Sequence, residues 1–407
     1  MSLKLILRKY CFPLILLVSI FVGMITGWIV GSEITVIKPL GEVFINMLFT
    51  IVIPLVFFTI SSSIANMNSL KRLGKILGYM LVVFGVTSLI ASIFMLIGVI
   101  IINPVGNLNI QLVDGVKESV NLGTSVVEMF TVTDFNQLLS KSHMFPLIIF
   151  SLLFGVCVSI IGEEANPLKR LLGICSKVMM KFINIIMYYA PIGLFAYFAC
   201  LVGDYGPALI GEYAKTLIFY LIMSLLYYVI FYSLYIYLVK GKENVKYSFK
   251  KMFIPTVTAL GTCSSLATLP SNLEATEELG VSKDVRELVL PIGATMHMEG
   301  SSMASILKIV FLFTIFGKPF TGFGTILVAV LLAVLSGVVM SGIPGGGLIG
   351  EMLIVSMYDF PLAAFPLIAT IGWLIDSPAT ALNAVGDIPS TMMIDKILKN
   401  NIDVDKK

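Results

Sequence analysis

Asp376, Thr380, Asn383 and Asp387 follow one another at steps of four, three and four residues. At about 100° per residue, these steps keep two carboxylates, an amide and a hydroxyl within one narrow helical stripe. Trp373-Leu374-Ile375 precedes Asp376, so the stripe does not begin as a solvated helix end. A third acid, Glu299, closes the run Gly293-Ala294-Thr295-Met296-His297-Met298-Glu299. Oxygen-rich sets of this kind suit hard cations or an ammonium group. No HExxH metal motif and no assignable nucleophile–base pair accompanies them, so an enzyme is not expected.

The surroundings make these acids costly. The chain has 407 residues, 57% hydrophobic and 13% charged, and a mean hydropathy of +0.98. Soluble domains carry about 25% charge, so a polytopic helical protein in a lipid bilayer is expected. An Asp at the bilayer centre costs about 2.5–3.5 kcal/mol, so three unpaired acids cost on the order of 9 kcal/mol. Between residues 288 and 395 the only lysines or arginines are Lys308 and Lys318. Bound cations and the ammonium of an amino acid are the natural neutralising partners, with protonation as the competitor.

Two more segments break the apolar pattern: Thr262-Cys263-Ser264-Ser265-Leu266-Ala267-Thr268-Leu269-Pro270 and Gly342-Ile343-Pro344-Gly345-Gly346-Gly347. Exposed N–H groups at half-helix starts attract anions. Ser264, Ser265 and the backbone of Gly342–Gly347 are therefore candidates for holding a substrate carboxylate. A single Gly-rich loop is ordinarily a tight turn; two such tips flanking a broken acidic helix are more specific.

The elements that must position these groups follow from hydropathy. Apolar stretches fall near 12–31, 43–66, 74–104, 144–162, 174–203 and 207–239. Basic clusters at Lys71/Arg72/Lys75, Lys169/Arg170/Lys177 and Lys240–Lys251 alternate with base-poor loops. By the positive-inside rule, the N-terminus and the loop after the sixth span are cytoplasmic, as is the lysine-bearing C-terminus. The basic N-terminus could pass for a signal peptide, but the many later spans favour a retained first helix. Residues 252–282 and 321–357 read as re-entrant hairpins, each followed by a crossing (288–316 and 361–394) interrupted at its polar motif. Lipid tolerates broken backbone only where protein or a water-filled cavity satisfies it. Hairpin and broken helix, repeated from the opposite side, form an inverted repeat with a binding site between its halves. The expected division is 1–248, six spans, and 249–407, the transport core. The loop at about 105–142 is expected to be extracellular. Five scattered cysteines without CxxC argue against a disulfide framework or zinc site, and a net charge of +3 gives no reason to expect nucleic acid.

These motifs, in this order and spacing, resemble the glutamate/aspartate transporter family, the dicarboxylate/amino acid:cation symporters. Tyr189-Ala190-Pro191-Ile192-Gly193-Leu194-Phe195-Ala196 and Thr87-Ser88 extend the resemblance over nearly the whole chain. It implies eight transmembrane helices, two re-entrant hairpins, a homotrimer in the plasma or inner membrane, and a transport domain that moves as an elevator. By that resemblance, Asp376 matches the acid that binds the substrate ammonium. Asn383 and Ser265 match groups at the α-carboxylate, and Thr380 a nearby hydroxyl. Ser264, Met298, Gly342, Gly345 and Ala379 complete the implied substrate site. Asp387 matches a sodium-ligating carboxylate, helped by carbonyls near Gly293, His297 and Asn383. Thr295 and Met298 match a second sodium site and gate at the second hairpin. Thr87, Ser88 and Glu299 match a third.

Two departures shape the expected function. Members that take acidic substrates read the side-chain carboxylate with an arginine, from positions held here by Ala379 and Cys263. A bidentate guanidinium is hard to replace, so the expected substrate is a small neutral amino acid of the serine, threonine or alanine type. Lys308 leaves open uptake of acidic amino acids or dicarboxylates. It could equally pair with Glu351 or stand in for a bound cation. The second departure is His297-Met298-Glu299 where the family usually has Asn-Met-Asp. A histidine side chain is no amide ligand, so Na+ is expected as the coupling ion with H+ as the alternative, and His297 is either a structural imidazole or a proton-transfer group. An anion-conducting channel is the reading from another class.

Overall fold

A computed structural model describes residues 3–65, 70–104, 131–140, 143–205, 208–340, 347–361 and 363–404. The Gly342–Gly346 tip and most of the 105–142 loop lie outside the described residues, so Gly342 and Gly345 have no structural account. Among the described residues every regular element is helical. The α-helices are α1 (Leu3–Val30), α2 (Lys38–Ala65), α3 (Leu70–Ile102), α4 (Met144–Ile161), α5 (Asn166–Tyr205) and α6 (Ala208–Lys240). They continue as α7 (Glu243–Thr262), α8 (Ser265–Glu278), α9 (Lys283–Met296), α10 (Glu299–Ile315), α11 (Phe323–Met340), α12 (Gly347–Met357) and α13 (Ala364–Val404).

Seven helical stretches among the described residues are long and apolar enough to cross a membrane, and Ile53–Ser62 and Phe323–Gly337 are shorter apolar helices. The stretch Val18–Met47 takes in the end of α1, the 3-10 turn Gly31–Ile37 and the start of α2. Helix α5 packs along both α1 and α2, and α2 also along α4. Small residues let these backbones approach: a Cβ on Gly23 would lie 2.5 Å from the Phe195 carbonyl oxygen.

The remaining helices gather around α13, which touches α3, α6, α7, α8, α9, α10 and α12. Helices α7 and α8 pack on each other as a helix–turn–helix pair, and α11 and α12 also pack on each other. The turn after α7 is made at Cys263, in the left-handed region (φ 47°), and at the extended Ser264, whose hydroxyl accepts from the Ala267 N–H at 3.2 Å. That N-cap starts α8. Between α9 and α10 the helix is broken at His297 and Met298, both outside helical geometry.

The last crossing corrects an expectation. Helix α13 runs unbroken through Pro378-Ala379 and Gly386-Asp387, where an interruption was expected, and through Pro389 as well. A proline removes one N–H and one intrahelical bond. Here the helix is packed against neighbours along much of its length, and that packing supports the weakened turns.

Candidate functional site

The break between α9 and α10 meets the middle of α13. Helix breaks leave terminal N–H and carbonyl groups without intrahelical partners. Asn383 supplies one: its Oδ1 accepts from the Ser301 N–H at 3.1 Å, and its Nδ2 donates to the Ser301 hydroxyl at 3.0 Å. Tyr220 of α6 donates to the Gly300 carbonyl at 2.8 Å. Gly300 lets the backbones of α10 and α13 touch, since a Cβ there would lie 2.9 Å from Cα of Ala379.

His297 and Asp387 form a buried pair, with Nδ1 3.0 Å from Oδ1. The other ring nitrogen, Nε2, lies 2.8 Å from the Thr87 hydroxyl. Phe84 stacks on the imidazole at 4.3 Å. With Asp387 ionised and the imidazole neutral, Nδ1 is the donor and Nε2 accepts from Thr87. Both nitrogens are therefore used inside the protein. Asp387 Oδ2 is buried without a hydrogen-bond partner among the described residues, and Gly293 makes room for this carboxylate: a Cβ there would lie 2.5 Å from Oδ1.

Glu299 is also fully buried, and tyrosines hold it. Tyr227 donates to Oε1 at 2.9 Å and Tyr232 to Oε2 at 2.8 Å. Tyr235 lies 3.2 Å from the Tyr227 hydroxyl. Gly386 faces the same carboxylate without a side chain, because a Cβ there would meet Glu299 Oε2. Tyr227, Tyr232, Tyr235 and Phe84 were missed from the sequence. The signal was the tyrosine-rich α6, where Tyr220, Tyr227 and Tyr235 recur at steps of seven and eight, the spacing of one helical face.

Asp376 differs from its stripe mates. Thr380, Asn383 and Asp387 are buried, whereas Asp376 is exposed and, among the described residues, accepts a long 3.5 Å contact from the Thr380 hydroxyl. The first hairpin turn abuts it: Ser377 donates to the Leu260 carbonyl at 2.8 Å, and the Cys263 thiol lies within electrostatic range of Asp376. Ser265 and Met298 are buried and Ser264 is half-buried. Thr295 turns its hydroxyl back to the Ile292 carbonyl at 2.8 Å. Ser88 is buried, and its carbonyl accepts from Ser92 at 2.8 Å. Lys308 of α10 is paired with Glu351 of α12, Nζ to Oε1 at 2.6 Å, with the two residues 3% and 2% exposed.

Apolar helices of membrane length, around a core where acids outnumber bases and one helix is broken, define a multi-pass membrane transporter. The chain belongs to the sodium:dicarboxylate symporter family, whose model matches residues 12–397. It is 26% identical over 322 residues to the proton/sodium-glutamate symport protein of Geobacillus stearothermophilus, covering 74% of this chain and 75% of that protein. It is 27% identical over 315 residues to a C4-dicarboxylate transport protein of a Geobacter species, covering 72% and 69%. A C4-dicarboxylate transport protein of Pseudomonas syringae pv. tomato is 28% identical over 318 residues, covering 73% and 66%. The chain is therefore a symporter that couples its substrate to a cation.

Proposed function

We propose that this symporter carries a small neutral amino acid of the serine, threonine or alanine type. One observation carries the reading: Lys308 already has its carboxylate. Between residues 288 and 395 only Lys308 and Lys318 bear a permanent positive charge, and Lys308 is held by Glu351 at 2.6 Å. With Ala379 and Cys263 in place of arginine, and Lys318 beyond the end of α10, no free cation among the described residues of this core would read an acidic side chain. Asp376, exposed and lightly bonded, is the group for the substrate ammonium. Ser264, Ser265 and Asn383, with the Gly342–Gly347 tip, would hold the α-carboxylate, and Thr380 would place a hydroxyl near the substrate.

Asp387 is the proposed cation ligand. Its Oδ2, unpartnered among the described residues, is an oxygen that a desolvated cation would engage, with Gly293 of α9 beside the carboxylate. Glu299, with both oxygens taken by phenols, is left out of that site, and His297 serves as a structural imidazole. Na+ is the favoured ion and H+ the competitor. The fold reading includes a homotrimer in the cell membrane, cytoplasmic termini, and a mobile core (249–407 with α3 and α6) sliding as an elevator against α1, α2, α4 and α5.

A second reading is supported by the relatives, two of them C4-dicarboxylate transporters and one a glutamate symporter by name. Labelled serine uptake into proteoliposomes, with excess aspartate or succinate outside, separates the two. Weak competition by the acids is expected; strong competition refutes the neutral substrate. Counterflow of labelled serine without an ion gradient is expected of a carrier and not of an anion channel. Imposed Na+ or H+ gradients identify the coupling ion.

A further inference from the structure

We propose that Glu351 sets the substrate class by occupying, with its own carboxylate, the place where Lys308 would receive the side-chain carboxylate of an acidic substrate. The proposal rests on the neutral-substrate reading above. Three helices build the location. Lys308 comes from α10, Glu351 from α12, and α13 contributes Gly372. Gly372 matters because it has no side chain: a Cβ there would meet Glu351 Oε1 and lie 3.0 Å from Lys308 Nζ. Its place on α13 connects the pair to the candidate substrate site. Asp376 is four residues further on, one turn along the same face, and Lys308 lies within electrostatic range of it.

The charge arithmetic gives the consequence. Asp376, Lys308 and Glu351 together carry one net negative charge, and a substrate ammonium at Asp376 offsets it. A neutral amino acid adds no further charge through its side chain. An acidic one brings a carboxylate toward a lysine already matched by a carboxylate, in a region of low dielectric where like charges repel strongly. Removing Glu351's charge reverses the situation: Lys308 becomes an unmatched ammonium beside the substrate site, and an acidic side chain would supply its partner. A pair serving only to fasten α10 to α12 predicts no such change in selectivity, since buried ion pairs are replaceable by apolar side chains at little cost.

The test uses the full chain in proteoliposomes and reads the ratio of kcat/KM for labelled aspartate to that for labelled serine. The wild-type ratio comes first: a value near or above one refutes the neutral-substrate reading by itself. Glu351→Gln is expected to raise the ratio about tenfold or more; an unchanged or lower ratio overturns the proposal. The double variant Lys308→Met/Glu351→Met is expected to show no rise, and an equal rise would mean that Lys308 is not the receiver. Should Glu351→Gln fail to assemble, Glu351→Asp keeps the pair while withdrawing its carboxylate by one methylene. A rise of about threefold there supports the assignment, and no rise overturns it.

Discussion

Replacing Tyr232 with phenylalanine tests how a fully buried acid, Glu299, is held. Glu299 has no exposure, and its two oxygens each accept one phenol hydrogen, at 2.9 and 2.8 Å. Hydrogen bonds to a charged group are worth about 1.5–3 kcal/mol, and a buried acceptor left unpaired forfeits its desolvation as well. The Tyr232 hydroxyl also lies 2.7 Å from the Leu382 carbonyl, a competing acceptor for its one hydrogen, so the variant tests whether that hydrogen goes to Glu299. That oxygen belongs to the unbroken α13 and has its helical partner, so little is lost there. Gly386 faces the carboxylate without a side chain, so α13 offers no replacement donor at that position. Tyr232→Phe should therefore cost about 2–3 kcal/mol. Tyr228 provides the control: its hydroxyl bonds the Thr256 hydroxyl at 2.7 Å, a neutral pair that is only part-buried, so Tyr228→Phe should cost about 0.5–1.5 kcal/mol. The assay is unfolding of detergent-purified protein by SDS titration. In a Glu299→Gln background the cost of Tyr232→Phe should fall toward the control value, since the acceptor is then neutral. If the two phenylalanine variants are equally stable in the native background, the charge-assisted description of Glu299 is wrong.

Three further outcomes are expected. Asp376→Asn should abolish amino-acid uptake while the protein assembles normally by size-exclusion chromatography; normal transport would remove Asp376 from the ammonium site. Gly293→Ala places a Cβ 2.5 Å from Asp387 Oδ1 and 3.2 Å from the Phe84 ring, and should raise the half-saturating concentration of the coupling ion about tenfold or more. An unchanged cation dependence of uptake would move the cation away from Asp387. Lys308→Met alone leaves Glu351 an uncompensated buried charge and should cost about 3–5 kcal/mol, whereas Lys308→Met/Glu351→Met should return to within about 1 kcal/mol of the native protein. Equal SDS midpoints for the single and double variants would mean that the pair is solvated.

The acidic stripe, the break at His297-Met298 and the turn at Cys263-Ser264 were all legible in the chain. Hydropathy, helical spacing and the conformational demands of a cap act over a few residues, so neighbours in sequence suffice to reveal them. Local rules also misled at α13. Pro378 and the Gly386-Asp387 step read as an interruption, yet the helix continues because packing from several sides outweighs one lost hydrogen bond per proline. The difference between Asp376 and its stripe mates was invisible as well, since spacing assigns a face but not what covers it.

Which side chain answers each buried charge was decided by the tertiary structure alone. His297 meets Asp387 and Thr87 across 90 and 210 residues of chain. Glu299 meets Tyr227 and Tyr232 across 72 and 67, and Lys308 meets Glu351 across 43. The sequence required that acids in lipid be neutralised, because an unpaired charge there is costly. The choice among phenol, imidazole, lysine or passing cargo depends on where helices cross and on which glycines open space between them.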